Sequence, residues 1–367
     1  MGLQLYHLWS MSALSIYAGP TALEIIRRDG LNANQISTLV GASGGPKWFV
    51  LYGLDRYLFG EFFAGRDSPL VTLGSSAGAW RVCCLALADP VAAVERLATI
   101  YSLEQYSAKP TTAEITKKAR AMLAEVLGAE GIKEIINNEV FRTHIVTDRC
   151  KGFGSSTSRA LQFIALATSA LANAISRKTL SLFYQRTIFT NMGQLSPWTE
   201  VSDLDTKLIS LTEENVFDVM IASGSIPFIL DGVRDIAGAP RGQYWDGGIT
   251  DYHFDFLFHR GSDLVLYPHF SPKVIPGWFD KHLPWRSVNA DNFHNVVLVV
   301  PSQSFVDSLP YGKIPDRKDF NMLGHEARLA YWQVVLNRSA ELADDFKELI
   351  DNGVGLEAIQ PFYQSTK

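Results

Sequence analysis

The sequence predicts a three-layer α/β/α domain built on a mostly parallel central sheet. Two consecutive strand–turn–helix units in the first ninety or so residues point there, because parallel neighbours need a crossover connection. Two later runs, "DLVLYP" (Asp263 to Pro268) and "NVVLVVPS" (Asn295 to Ser302), have the apolar character of strands covered on both faces. A hydrophobic share of 47 % against 19 % charged residues supplies the core.

In chain order, "QISTLV" (Gln35 to Val40) reads as a short buried strand followed by a glycine-rich turn. "WFVLYGLDRYLFG" (Trp48 to Gly60) then has helical apolar spacing and ends on glycine. The second unit is the strand "PLVTL" (Pro69 to Leu73), the turn Gly-Ser-Ser-Ala-Gly, and the helix "AWRVCCLALAD" (Ala79 to Asp89). Residues 91–136 look largely helical and "THIVTD" (Thr143 to Asp148) is a strand candidate. "VFDVMIASGSIPFIL" (Val216 to Leu230) passes from helix into a proline-broken turn. "QYWDGGITDYHF" (Gln243 to Phe254) reads as a strand, a tight turn and an extended piece. The aromatic stretch "VIPGWFDKHLPWR" is a loop excursion, and one long amphipathic helix from Phe320 to Asn352 closes the chain. The expected division is an α/β domain over residues 1–270, with a helical and aromatic C-terminal extension, residues 271–367, packed on it.

The 367 residues carry a net charge of −5, which gives no electrostatic case for a nucleic-acid partner. The three cysteines, Cys83, Cys84 and Cys150, are too few and too odd for a disulfide framework. They fit a reducing compartment, so a cytoplasmic location is expected. The apolar N-terminus has no cation before Arg27 and so lacks the positive region of a secretory signal. Tyr6 stands where a myristoylation motif requires Ser or Thr. The uncharged run Ala160 to Ser176 falls short of a bilayer span. Its plainer reading is a buried helix; the sharper one is a lipid-facing lid or docking helix in peripheral membrane contact. No oligomeric state follows from any of these features.

Gly-x-Ser-x-Gly occurs twice, around Ser43 in "LVGASGGPKW" and around Ser76 in "VTLGSSAGAW", each time between a strand and a helix. In that setting a sharp turn lifts a serine hydroxyl above the sheet, where a base can activate it and amides can hold the oxyanion. "SGGPK" (Ser43 to Lys47) offers consecutive amides in a glycine-rich turn suited to negative charge. A phosphate loop fits it poorly, since Pro46 and Trp48 replace required residues. "WDGGIT" places Asp246 at a strand end, where an open α/β sheet keeps its sites; a plain hairpin turn is the alternative.

Taken in order, the glycine-rich turn, the Ser76 box and the Asp-Gly-Gly resemble the patatin-like phospholipase family. The matching segments are Ser43-Gly44-Gly45-Pro46-Lys47-Trp48, Gly74-Ser75-Ser76-Ala77-Gly78 and Asp246-Gly247-Gly248, with "IASGSIPFIL" (Ile221 to Leu230) before the last. The likeness covers residues 34–270. It departs where Ser43 and Trp48 stand at the loop's first and last glycines, and a bulky Trp48 there would narrow the approach to the oxyanion site. The resemblance implies a patatin-like fold and a lipid-esterase or phospholipase activity through a Ser–Asp dyad. Ser76 would attack, Asp246 would be the base, Gly44 and Gly45 the oxyanion donors, and Lys47 a support. It implies a lipid or small ester as substrate and neither a metal nor an organic cofactor.

Two other readings stay open. A Ser-His-Asp hydrolase could draw on His253, His259, His269, His282, His294 or His325, and the fold could serve as a lipid- or partner-binding protein without turnover. "DYHFD" would also put Asp251, His253 and Asp255 on one face if extended, a metal set short of a fourth ligand.

Overall fold

The computed structural model describes residues 12–258 and 261–362. Residues 1–11, with Tyr6 of the targeting readings, and the candidate His259 lie outside the described residues.

Eleven strands among the described residues form one sheet. They are β1 (Leu14–Ala18), β2 (Ile36–Gly41), β3 (Leu70–Ser75), β4 (Phe141–Cys150), β5 (Tyr184–Thr190), β6 (Thr206–Ser210), β7 (Val233–Arg234), β8 (Gln243–Asp246), β9 (Leu264–Pro268), β10 (Val296–Pro301) and β11 (Gln360–Pro361). The order is β11-β1-β10-β9-β2-β3-β4-β5-β6, with β8 beside β4 and β7 beside β8. Pairing is parallel without interruption from β10 through β9, β2 and β3 to β4. Every residue of β9 and β10 is buried, as their apolar sequences require of strands covered by helices on both faces. The fold is thus three-layer α/β/α with a mostly parallel sheet.

The helices are α1 (Pro20–Asp29), α2 (Tyr52–Tyr57), α3 (Ala77–Cys83), α4 (Pro90–Leu103), α5 (Thr112–Leu127), α6 (Gly131–Asn137), α7 (Arg159–Ile175), α8 (Val216–Ser223), α9 (Gln303–Ser308), α10 (Asp319–Met322), α11 (His325–Arg338) and α12 (Ala340–Asn352). The expected helix at 48–60 starts as a tight helical turn, Gly45–Leu51, before α2. Pro46 sits in its first positions, where a missing N–H costs nothing.

The single long helix expected from Phe320 to Asn352 is instead three. Leu323 is extended and separates α10 from α11, and Ser339 separates α11 from α12. Ser339 is buried; its hydroxyl donates to the Leu336 carbonyl and accepts the Gly53 N–H at 2.8 Å. A Cβ on Gly53 would lie 2.4 Å from the Ser339 carbonyl oxygen, so α2 and this joint meet backbone to backbone. Amphipathic periodicity runs straight through such a joint, which is why the sequence reads as one helix. Residues 271–367 supply β10, β11 and the helices α9 to α12.

Candidate active site

Strand β4 is the ruler that brings Ser76 and Asp246 together. Along one edge β3 pairs parallel with its first part, ending at Ser75 opposite Val146. Further along the same edge β8 pairs antiparallel and ends at Asp246 opposite Thr147. The two strand tips therefore face each other at consecutive positions of β4. The Ser76 Oγ donates to the Asp246 Oδ2 at 2.7 Å, directly and with both residues buried.

Three local features hold that contact. Ser76 has φ 56° and ψ −133°, a conformation worth about 1–3 kcal/mol of strain in a non-glycine residue. The turn can be this sharp because Gly74 and Gly78 lack side chains: a Cβ on Gly78 would sit 2.1 Å from the Gly41 carbonyl oxygen. The Ser76 N–H donates to the Ser223 Oγ at 2.9 Å, and Ser223 donates onward to the Val146 carbonyl at 2.7 Å. Two residues later the Ser225 carbonyl accepts the Asp246 N–H at 2.8 Å. The end of α8 thus fastens both strand tips. Neither Gly247 nor Gly248 has positive φ, so the Asp-Gly pair does not form the hairpin turn its sequence allows. A Cβ on Gly247 would lie 2.3 Å from the Val146 oxygen, and the Gly248 N–H donates to the Asp246 Oδ1 at 2.7 Å.

Burial pushes the Asp246 carboxyl up to about 6, against the lowering effects of the Ser76 and Gly248 hydrogen bonds and of the Arg317 and Lys281 charges. A carboxylate in that range is a far better proton acceptor than a solvated one.

Ser43 lies beside the pair but is otherwise employed. Its N–H donates to the Tyr252 carbonyl at 3.0 Å and its hydroxyl to the Ser75 Oγ at 2.9 Å. Gly44 and Gly45 line the cleft over Ser76, and no hydrogen bond among the described residues consumes either N–H. Gly45 has φ 56°, and a Cβ on Gly44 would lie 2.5 Å from the Phe270 ring. Trp48 does not narrow the approach, contrary to the sequence expectation. It is buried, edge to face with Phe49 at 5.1 Å, because the tight turn after Gly45 swings it into the core.

Ser76 stands where two cavities meet. One is a polar cleft carrying Lys47, Lys281 and Arg317 with Asp316. The other is an apolar groove lined by Trp80, Tyr101, Ile115, Met122, Ile229 and Phe320. Gly45, Ile226 and Arg317 border both. Lys47 lies 3.7 Å from Asp316 and over the Phe270 ring, and burial lowers its pKa. Lys281 sits 3.6 Å above the Tyr252 ring and is brought down to about 7, first by burial and then by the Lys47 and Arg317 charges.

The histidines stand elsewhere. His253 and His269 are buried with their rings 4.2 Å apart; His253 accepts the Ile275 N–H and His269 contacts the Ser271 backbone. Among the described residues no histidine hydrogen-bonds Ser76 or Asp246. The triad alternative therefore finds no intermediary. Asp251, His253 and Asp255 each face a separate partner: Arg186, the Ile275 N–H, and Asn289 with Asn292. Asp251 instead takes two bonds from Arg186, at 2.5 and 2.8 Å, while Asp148 accepts from both the N–H and the hydroxyl of Thr250. This buried network braces the turn that follows Asp246.

Sequence reasoning missed Ser223, Ser225, Lys281 and Arg317. The first two lie in the segment "IASGSIPFIL" already singled out, so a signal existed without an assigned role. The last two carry none: Lys281 lies in the aromatic loop excursion and Arg317 in the charged run Asp316 to Asp319, neither with a pattern that marks a site.

No family model and no curated protein matches the sequence. Among solved structures, VipD from Legionella pneumophila is similar over 70 % of this chain, with 12 % identity and a TM-score of 0.32. The match spans about half of that chain, 53 %, and a likeness of this degree bears on neither activity nor substrate.

Proposed function

We propose that the chain is a serine acyl hydrolase acting on lipid esters through a Ser76–Asp246 dyad, as the patatin-like resemblance implies. The observation that carries this reading is the 2.7 Å hydrogen bond from Ser76 to Asp246 at the tip of a strained strand-to-helix turn. Ser76 Oγ attacks the ester carbonyl carbon while its proton passes to Asp246 Oδ2. The carbonyl oxygen, now negative, takes the Gly44 and Gly45 N–H groups; losing one such donor costs about 2.7–4 kcal/mol of barrier. Collapse breaks the bond to the leaving alcohol, which receives the proton from Asp246. Water then attacks the acyl-serine, gives a proton to Asp246, and releases the acid as Ser76 regains its hydrogen.

The two cavities suggest how the substrate lies. The apolar groove suits an acyl chain, and the cleft with Lys47, Lys281 and Arg317 suits a polar or anionic leaving group. Ser76→Ala and Asp246→Asn should each lower hydrolysis of short-chain nitrophenyl esters by at least about 10³-fold. Ser43→Ala should keep most of it, since that hydroxyl only braces Ser75. Unchanged turnover in Ser76→Ala would sink the assignment. Lipid binding by a wild type that turns over no ester would favour the binding-protein reading.

A further inference from the structure

We propose that the outward stripe of α7 docks the molecule onto an anionic phospholipid surface beside the mouth of the site. Helix α7 is amphipathic the wrong way round for a helix in water. Its side chains Phe163, Ile164, Ala167, Leu171 and Ile175 recur at helical spacing and are exposed. Phe163, Leu171 and Ile175 are 62, 73 and 87 % exposed. The buried face carries Ser169 and Asn173: Ser169 lies 3.2 Å from the Tyr184 hydroxyl, and Asn173 donates to Asp280 at 2.7 Å. Ser169 and Asn173 therefore fasten the helix beside Ala165 and Leu166, which face Cys150, Tyr184 and Trp245, while the large side chains of Phe163, Leu171 and Ile175 face out, an arrangement that calls for an apolar partner.

Three observations make that partner a lipid surface. A stripe on a 17-residue helix, about 25 Å long and 10 Å wide, offers roughly 250 Å². A stable dimer needs about 800 Å² from each copy, whereas an interfacial helix needs only one apolar face lying in the headgroup plane. Charge agrees, since residues 151–199 contain no Asp or Glu, exposed Arg159 opens the helix and exposed Lys178 follows it. Trp285, 58 % exposed, is held nearby through Arg286, which donates to the Asn173 carbonyl at 2.6 Å, a placement suited to the membrane interface.

The stripe adjoins the site. Asp280, the partner of Asn173, belongs to the turn whose Trp278 and Lys281 line the polar cleft. Phe163 packs edge to face with Phe228 at 6.2 Å, next to Pro227 and Ile226 of the same cleft. Docking would thus set the mouth against the source of substrate; only this purpose rests on the hydrolase reading, and the docking surface itself does not.

The test compares the wild type with Leu171→Glu/Ile175→Glu, in sedimentation with vesicles of phosphatidylcholine and phosphatidylglycerol. The wild type should sediment, and the double variant should partition on the order of a hundredfold less. Its turnover of soluble nitrophenyl butyrate should stay unchanged, because neither residue touches the site, while hydrolysis of vesicle lipid falls. A wild type that stays in solution, or a variant that sediments equally, overturns the proposal. So does a wild-type dimer that the substitutions dissociate, which would assign the stripe to a second copy. Absence of ester turnover in the wild type would instead defeat the hydrolase reading and leave the sedimentation result standing.

Discussion

On the proposed mechanism Asp246 has to accept an alcohol proton yet be ionised at neutral pH, and its surroundings place it between those demands. With its pKa near 6 it is a carboxylate above that pH and a proton-blocked acid below. For a neutral short-chain ester, kcat/KM should rise as pH passes through about 6 and then level off. An anionic substrate should show a second limb. Lys281 loses its charge as pH rises through about 7, so KM should increase on the alkaline side for that substrate alone. The same shift bears on stability. Folding raises this carboxyl from 3.8 to about 6, so the folded state holds the proton more tightly. Ionisation then costs stability as pH climbs through that window, up to about 3 kcal/mol once it is passed. Asp246→Asn removes the charge and should raise Tm at pH 8 while abolishing turnover. An unchanged or lower Tm there would mean the site does not strain its base.

At the scale of elements, the site is made by strand ends and by the helix end that ties them. On the proposed mechanism Ser223 acts as a positioning residue, since it fixes the Ser76 N–H and passes the bond to Val146. Ser223→Ala leaves that buried donor unpaired, a loss of about 1–3 kcal/mol. It should lower kcat with KM little changed, and slow covalent modification of Ser76 in proportion. A KM effect alone would place Ser223 in substrate binding instead. What the sequence made legible follows the same division. The strand–turn–helix units around Ser43 and Ser76 and the apolar runs at 263–268 and 295–302 announce themselves by local pattern. Strands β1, β5 and β6 do not: β1 lies in an apolar leader-like stretch, and β6, "TKLIS", is short and half-exposed. β1 owes its place to β10 and β11, distant in the chain, and β5 and β6 owe theirs to β4 and to each other, pairings that no local period records. Ser76 and Asp246 were legible as residue types in order; their contact depends on the register of β3 and β8 against β4.

For the molecule as a whole, the sheet decides what can be removed. Strand β10 lies between β9 and β1, and β11 closes the edge beside β1, so the end of the chain completes a sheet begun at its start. Arg317 and Phe320, at the groove, come from the same C-terminal part. A chain cut after residue 270 would bare the apolar edges of β9 and β1. It should fail to unfold cooperatively and should aggregate; a soluble fragment with a sharp thermal transition would show that the α/β unit is complete without the extension.

In the proposed dyad Asp246 activates Ser76 with nothing between them. Peptide mapping by mass spectrometry after treatment with a fluorophosphonate at pH 8 reads this out. The adduct should lie on Ser76 in the wild type and vanish in Ser76→Ala and Asp246→Asn. An adduct on Ser43, or full modification of Ser76 in Asp246→Asn, would contradict it.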